Sequence, residues 1–250
     1  GIVVIGGLKR IAEVATFLVP LMGSIYFGAM LIALILNLDL VLPAFKLILV
    51  DAFNGTAVAG GTFFGVLIYG VRRGAFSNEA GMGTESLVHG VAKVSNPVKQ
   101  GLVAMTGPIF DTLIICTATA LMILVSGVWE TSSSQGVTLT AEAFSILLGN
   151  FGGLILFTCV ICFGLSTIFT YSYYGASCSR FLFGNFGMKF YIYLYIFSIF
   201  IYSIVPIDIA INIADGAFAL MAIPTLISAL WLAPKVMQAS KNYFKLVDNI

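Results

Sequence analysis

Three groups of residues in this 250-residue chain have the types and spacings that chemistry requires. The first is Asp111, followed by Thr112, inside a long apolar run. An aspartate in hydrocarbon costs roughly 2.5–3.5 kcal/mol on insertion scales, so it needs a partner or a purpose. It stands about ten residues into its segment, or roughly 15 Å at 1.5 Å per residue, which is close to a bilayer midplane. Ion coupling, a proton relay or a gate are the functional readings; a structural acid bonded to a neighbouring helix is the alternative. The donors nearest in sequence are Thr112 and the Gly107 backbone, and no clear partner stands out elsewhere.

The second group is glycine-broken. Gly55, Gly60, Gly61, Gly65 and Gly70 fall in one apolar stretch, beside Thr62, Phe63 and Phe64. Each interior glycine costs a helix roughly 0.5–1 kcal/mol relative to alanine. An interrupted membrane helix would free main-chain groups for a solute or ion, with a hydroxyl and an aromatic wall alongside. Close packing of small residues between helices is the competing reading.

The third group is a hydroxyl-bearing face. Thr167, Thr170 and Tyr171 lie three and four residues apart, next to Ser166 and Ser172, so that the first three share one side of a helix. Oxygen ligands suit sodium, a hard cation. Hydroxyls bonded back to their own helix carbonyls give the alternative.

Other patterns carry less. Ser77, His89 and Glu79 contain hydrolytic residue types, but no spacing rule joins them, and Gly-Ser-Asn-rich sequence reads as a hinge or re-entrant element. Gly81-Met82-Gly83 lacks the strand, third glycine and helix of a dinucleotide fingerprint. Cys116, Cys159, Cys162 and Cys178 all fall within or at the end of apolar runs, and read as small hydrophobes rather than zinc or redox ligands.

The elements that must position these residues follow from composition. Hydrophobic residues make up 60% and charged residues 9%, against about 45–50% and 25% in soluble proteins. The chain therefore reads as an all-α polytopic membrane protein, since the runs are continuously apolar where a barrel would alternate. A net charge of +1 argues against a nucleic-acid partner. About 20 apolar residues cross a bilayer, and six segments qualify: 14–36, 54–72, 101–128, 143–175, 188–206 and 209–233. The fourth is longer than one vertical crossing and is expected to tilt or project.

Eleven of the 12 basic residues fall in alternate loops, among them Arg72 and Arg73 after the second segment; Lys46 is the exception. The opposite loops hold Asp39, Asp51, Glu130, Glu142 and Asp208. The positive-inside rule then puts both chain ends in the cytoplasm, and six crossings agree with that parity. The chain opens on Gly1-Ile2-Val3-Val4-Ile5 without Met or a signal peptide, and reads as a fragment of a longer protein.

Several motifs resemble the alanine/glycine:cation (sodium:alanine) symporter family. They are Gly6-Gly7-Leu8-Lys9-Arg10-Ile11-Ala12, the stretch from Arg73 to Gly83, Asn96-Pro97-Val98-Lys99-Gln100-Gly101-Leu102, Phe110-Asp111-Thr112 with Cys116-Thr117-Ala118-Thr119-Ala120, and Ser166-Thr167-Ile168 with Ser172-Tyr173-Tyr174-Gly175. They occur in family order over nearly the whole chain.

The resemblance implies a partial leucine-transporter-type inverted-repeat fold: the second five-helix repeat plus the last helix of the first. The N-terminal half, with about half of the ligands, would then lie elsewhere. It further implies that Gly60, Gly61, Phe63 and Phe64 hold the amino acid. Thr167 and Tyr171 would line its pocket, and Ser166 with Thr167 would donate oxygens to sodium. Family members usually have Gly-Trp where this chain has Thr170-Tyr171, and often Glu where it has Ala176; the tyrosine keeps an aromatic wall and adds a hydroxyl.

The expectation is therefore sodium-coupled symport of small neutral amino acids, alanine or glycine, across the cell membrane by alternating access, with Asp111 in coupling or gating. Lipid, the N-terminal half and the amino acid are the expected partners, and no enzymatic activity is expected. Rivals are proton coupling or another solute on the same fold, a channel subunit, or a membrane-embedded enzyme.

Overall fold

The computed structural model describes residues 7–52, 62–79 and 81–247. Among these, helices joined by short connections account for the chain and no strand forms, as a segment in lipid requires when no water is present to pair its backbone. Four helices are long and apolar enough to cross a membrane: Glu13–Leu36, Pro97–Ser126, Asn150–Tyr202 and Ile209–Leu246.

The chain opens with α1 (Gly7–Leu36) and α2 (Leu38–Ala52). They meet at Asn37, whose side-chain amide donates to the Ala33 carbonyl at 2.8 Å. Next come α3 (Thr62–Asn78) and the short α4 (Thr84–His89). Helix α5 (Pro97–Pro108) starts where sequence rules place a start: Asn96 is extended and its side chain accepts from the Val98 N–H at 2.9 Å, with Pro97 at the first helical position.

Helix α5 ends at Pro108, which has no N–H to give the preceding turn. The ladder then widens into a π-helical segment, Ile109–Cys116, before α6 (Thr117–Ser126) resumes the ordinary pitch. Such π segments are uncommon and gather at functional sites. This one contains Asp111.

After α7 (Val128–Thr131) come α8 (Val137–Leu148), α9 (Asn150–Tyr202) and α10 (Ile207–Val247). Two glycines break this half of the chain. Gly149, between α8 and α9, has φ 65° and ψ −154°; Gly184, inside α9, has φ 68° and ψ −159°. That region is open essentially only to glycine.

The expected 143–175 span is therefore interrupted. Its first residues close α8, and the rest belong to α9, with a break at Gly149 between them. Gly184 in turn divides α9 into 150–183 and 185–202, which carry the fourth and fifth expected segments. Residues 53–61 of the second segment lie outside the described residues.

The chain forms two compact units: Gly1–Val71 with Thr112–Ala176, and Arg72–Asp111 with Ser177–Ile250. The first has a core of α1, α6, α8 and the start of α9, where Met30, Met122 and Phe144 are fully enclosed. Tyr26 stacks on Phe144 and meets Phe163 edge-on, both at 5.6 Å between ring centres. Its hydroxyl lies 2.9 Å from Thr119 Oγ1, and Thr119 donates to the Ile115 carbonyl inside the π segment at 2.8 Å. The second unit packs α5 and the end of α3 on α10, with Phe76 edge-on to Phe218 at 4.5 Å. Many large apolar side chains stay uncovered, Phe181 at 90% and Trp231 at 79% among them, a surface that suits lipid rather than water.

Candidate functional site

The hydroxyl face belongs to the first unit, on the early part of α9. Ser166 is buried and donates to the Phe163 carbonyl at 2.8 Å. Thr170 donates to the Ser166 carbonyl at 2.9 Å, and Ser172, also buried, to the Phe169 carbonyl at 2.6 Å. These are the back-bonds that the sequence left as an alternative, yet they do not remove the hydroxyls from cation chemistry. A back-bonded hydroxyl commits its proton to the helix and keeps two acceptor lone pairs. Ser166 is thus an oxygen with acceptor capacity to spare in a buried position.

Thr167 is exposed and Tyr171 half-buried. The Tyr171 ring meets that of Tyr174 at 5.3 Å between centres, which extends the Thr167–Tyr171 face by a second aromatic group. Tyr174 was quoted in a motif but not singled out for the site; its place three residues after Tyr171 is the signal that could have found it.

The glycine-broken group is only partly visible. Gly60 and Gly61 lie outside the described residues, as does the Phe63 side chain. Phe64 is 67% exposed on α3. A side chain at Gly65, Gly70 or Gly74 would meet nothing within 4 Å, so the glycine stripe of α3 is uncovered in this chain.

Asp111, Arg72 and Asp215 belong to the second unit. Asp111 is half-buried and accepts a hydrogen bond from Ser77 Oγ at 2.5 Å, a length typical of a hydroxyl on a carboxylate. The expectation that Asp111 lacks a clear partner is corrected here. Its donor comes from 34 residues away, on the last turn of α3. No local pattern could have named it.

Arg72 needs a second correction. Sequence reasoning placed Arg72 and Arg73 in a loop because they are charged, but both lie inside α3. The Arg72 guanidinium pairs with Asp215 Oδ2 on α10. Arg73 lies over the Phe76 ring, 6.0 Å from its centre.

Asp215 was not singled out at all. Its side chain is 6% exposed, and Oδ1 has no hydrogen-bond partner among the described residues. Its signal was in plain view: an acid in the middle of an apolar helix that needs a cation.

No group of three or more His, Cys, Asp or Glu that could hold a metal occurs among the described residues.

Over residues 1–249 the sequence matches the sodium:alanine symporter family. This chain is a member of that family. It is 35% identical to the sodium/alanine symporter AgcS of Methanococcus maripaludis, over 99% of this chain and 55% of AgcS. It is 37% identical to the uncharacterized transporter YflA of Bacillus subtilis, over 98% of this chain and 53% of YflA. A sodium/proton-dependent alanine carrier protein of Bacillus sp. PS3 is 33% identical over 69% of this chain and 42% of the carrier. The chain spans about half the length of the curated relatives it matches.

The sodium:alanine symporters are transporters rather than enzymes, which disposes of the hydrolytic reading. The structure agrees on geometry: Ser77 serves Asp111, while His89 Nδ1 lies 2.7 Å from the Gln100 amide. Membership and four membrane-length helices make this a multi-pass membrane protein.

Proposed function

We propose that the protein to which this chain belongs carries out sodium-coupled symport of small neutral amino acids, alanine or glycine, by alternating access. The observation that carries this reading is Ser166: a buried hydroxyl with its proton committed to Phe163 and its lone pairs open, on a membrane-spanning helix of a sodium:alanine symporter.

The mechanism follows from charge. Helix α9 contains no Asp or Glu. A sodium ion held by Ser166 and Thr167 would therefore meet neutral oxygens from this helix. Its charge would be balanced best by the carboxylate of the amino acid bound alongside. Each solute would then raise the affinity for the other by the same factor, which is the thermodynamic content of symport.

Tyr171 and Thr167 line the pocket in this proposal. Gly60 and Gly61, with Phe63 and Phe64, are proposed to hold the amino acid. Asp111, bonded to Ser77 from a π-helical segment, joins the end of α3 to α5 and is proposed for coupling or gating. The leucine-transporter-type repeat, six crossings and cytoplasmic chain ends belong to the same proposal. The remaining ligands would come from the half of the symporter that this chain does not span.

The test is uptake of labelled alanine by the full-length protein carrying Thr167→Ala. Weaker uptake with a weaker dependence on external sodium is expected. Unchanged uptake and sodium dependence would remove Thr167 from the ion site. Replacing sodium with choline, with and without an imposed proton gradient, separates this reading from proton coupling.

A further inference from the structure

We propose that the cleft between α5 and α10 is a binding site for an anionic phospholipid, with Lys235 on the headgroup phosphate and an acyl chain between the helices. The cleft has a volume of about 490 Å³. Its walls are Gly101, Leu102 and Met105 from α5 and Leu232 and Val236 from α10, with Lys235 the sole charged residue lining it. Pro97 at the start of α5 and Ser240 late in α10 share one end of it.

Both helices change character at this cleft. Helix α5 carries Lys99 in its first turn and no further charge up to Asp111. Helix α10 is uncharged from Gly216 to Ala233, and Lys235 is its first basic residue, followed by Lys241 and Lys245. The cleft therefore sits where apolar helix gives way to a lysine-rich end, which is the position of the headgroup–acyl boundary.

Lys235 is exposed and makes no ion pair among the described residues. Neither Glu85, before α5, nor Asp111, after it, lines any part of the cleft. An apolar slot lined by one exposed, unneutralised ammonium matches a lipid with an apolar chain and an anionic headgroup. Basic pockets between helices on the cytoplasmic side select such lipids. The inference rests on the membrane placement of the chain and not on the identity of the transported solute.

The experiment is native mass spectrometry of the delipidated protein, titrated separately with phosphatidylglycerol and phosphatidylcholine of the same acyl chains. Phosphatidylglycerol should be retained preferentially. Lys235→Ala should weaken its binding by about fivefold, the contribution of one lysine near an anionic surface, and leave phosphatidylcholine unchanged. Gly101→Leu should reduce retention of both lipids by filling the cleft; a Cβ there meets nothing within 4 Å, so the side chain can enter the open space.

Lys46→Ala, on the exposed face of α2, should alter neither lipid. Equal retention of the two lipids would overturn the proposal, as would Lys235→Ala without effect. A loss for Lys46→Ala equal to that for Lys235→Ala would show general attraction to basic residues instead, and would overturn it too. Melting of each variant in detergent separates loss of binding from loss of fold, and no arm depends on transport.

Discussion

Two regions of this chain, the Ser166–Ser172 face in the first unit and the acids Asp111 and Asp215 in the second, satisfy their polar groups in opposite ways. In the first, Ser166, Thr170 and Ser172 are neutral and satisfy themselves on the carbonyls of their own helix. In the second, Asp215 and Asp111 are acids and reach to other helices, to Arg72 and Ser77 on α3. A hydroxyl can stay within its own turn and accept a new partner at little cost. A buried carboxylate cannot, because its desolvation is repaid only by a partner of opposite charge or a strong donor. The first arrangement suits a site that must take up and release solute; the second suits a fixed joint between helices.

The largest expected effect tests the joint. Arg72→Ala leaves Asp215 buried without its cation and should destabilise the protein by about 3 kcal/mol. Pairing it with Asp215→Leu should recover most of the loss. Thermal unfolding of the single and double variants in detergent decides it; a change below about 0.5 kcal/mol, the size of an ordinary surface effect, would reduce the pair to a surface contact.

Next are the glycines that shape α9. Gly149→Ala and Gly184→Ala place a Cβ in a backbone region that alanine avoids, and each should cost about 1–3 kcal/mol. Gly164→Ala, in the same helix without positive φ and with nothing within 4 Å of a Cβ, should cost nothing or stabilise. If all three behaved alike, the breaks at 149 and 184 would lose their meaning.

The hydroxyls themselves should separate function from stability. Thr170→Val removes a back-bond and should change melting by less than about 0.5 kcal/mol, since the Ser166 carbonyl keeps its place in the helix ladder. Ser77→Ala, which strips a donor from a carboxylate, should cost about 1.5 kcal/mol. Equal effects would erase the distinction between the two units.

The smallest effect concerns an acid of the first unit, in α8 and outside the four membrane-length helices. Glu142 accepts from Ser134 Oγ at 2.6 Å, and the hydroxyls of Ser132 and then Ser134 hold its pKa below the ordinary 4.5. Because its folded pKa is depressed, its contribution to stability is complete above pH 4.5 and is lost as pH falls through the folded value. Ser132→Ala should raise the titration of Glu142, read by NMR of the labelled carboxyl carbon. An acid exposed to water thus manages with neutral donors, where Asp215 requires a guanidinium.

The parts of the site differed in how far they could be read from residue order. The third segment was read from 101, whereas α5 starts at Pro97 behind the Asn96 cap, a local signal that hydropathy alone does not weigh. The shared side of Thr167 and Tyr171 was legible, since it depends only on helical pitch. Asp111 stood out because a charge in an apolar run is costly wherever it lies. The breaks at Gly149 and Gly184 were not legible: glycine in a membrane segment serves helix contact as readily as interruption, and only φ and ψ tell the two apart. The second segment was ended at Arg72 because charges flank spans; that the helix runs on to Asn78 and that the guanidinium meets an acid on another helix are set by packing.

Residue order alone determined that this chain belongs in a membrane, that it is helical, and that it is a sodium:alanine symporter relative. Those properties follow from hydropathy, pitch and motif, all of which act between near neighbours. Only the tertiary structure decided which acid meets which donor, that Asp215 pairs with Arg72 across 143 residues and Asp111 with Ser77 across 34. Such pairings are set by how helices pack, and packing joins residues whose separation along the chain carries no information about their distance in space.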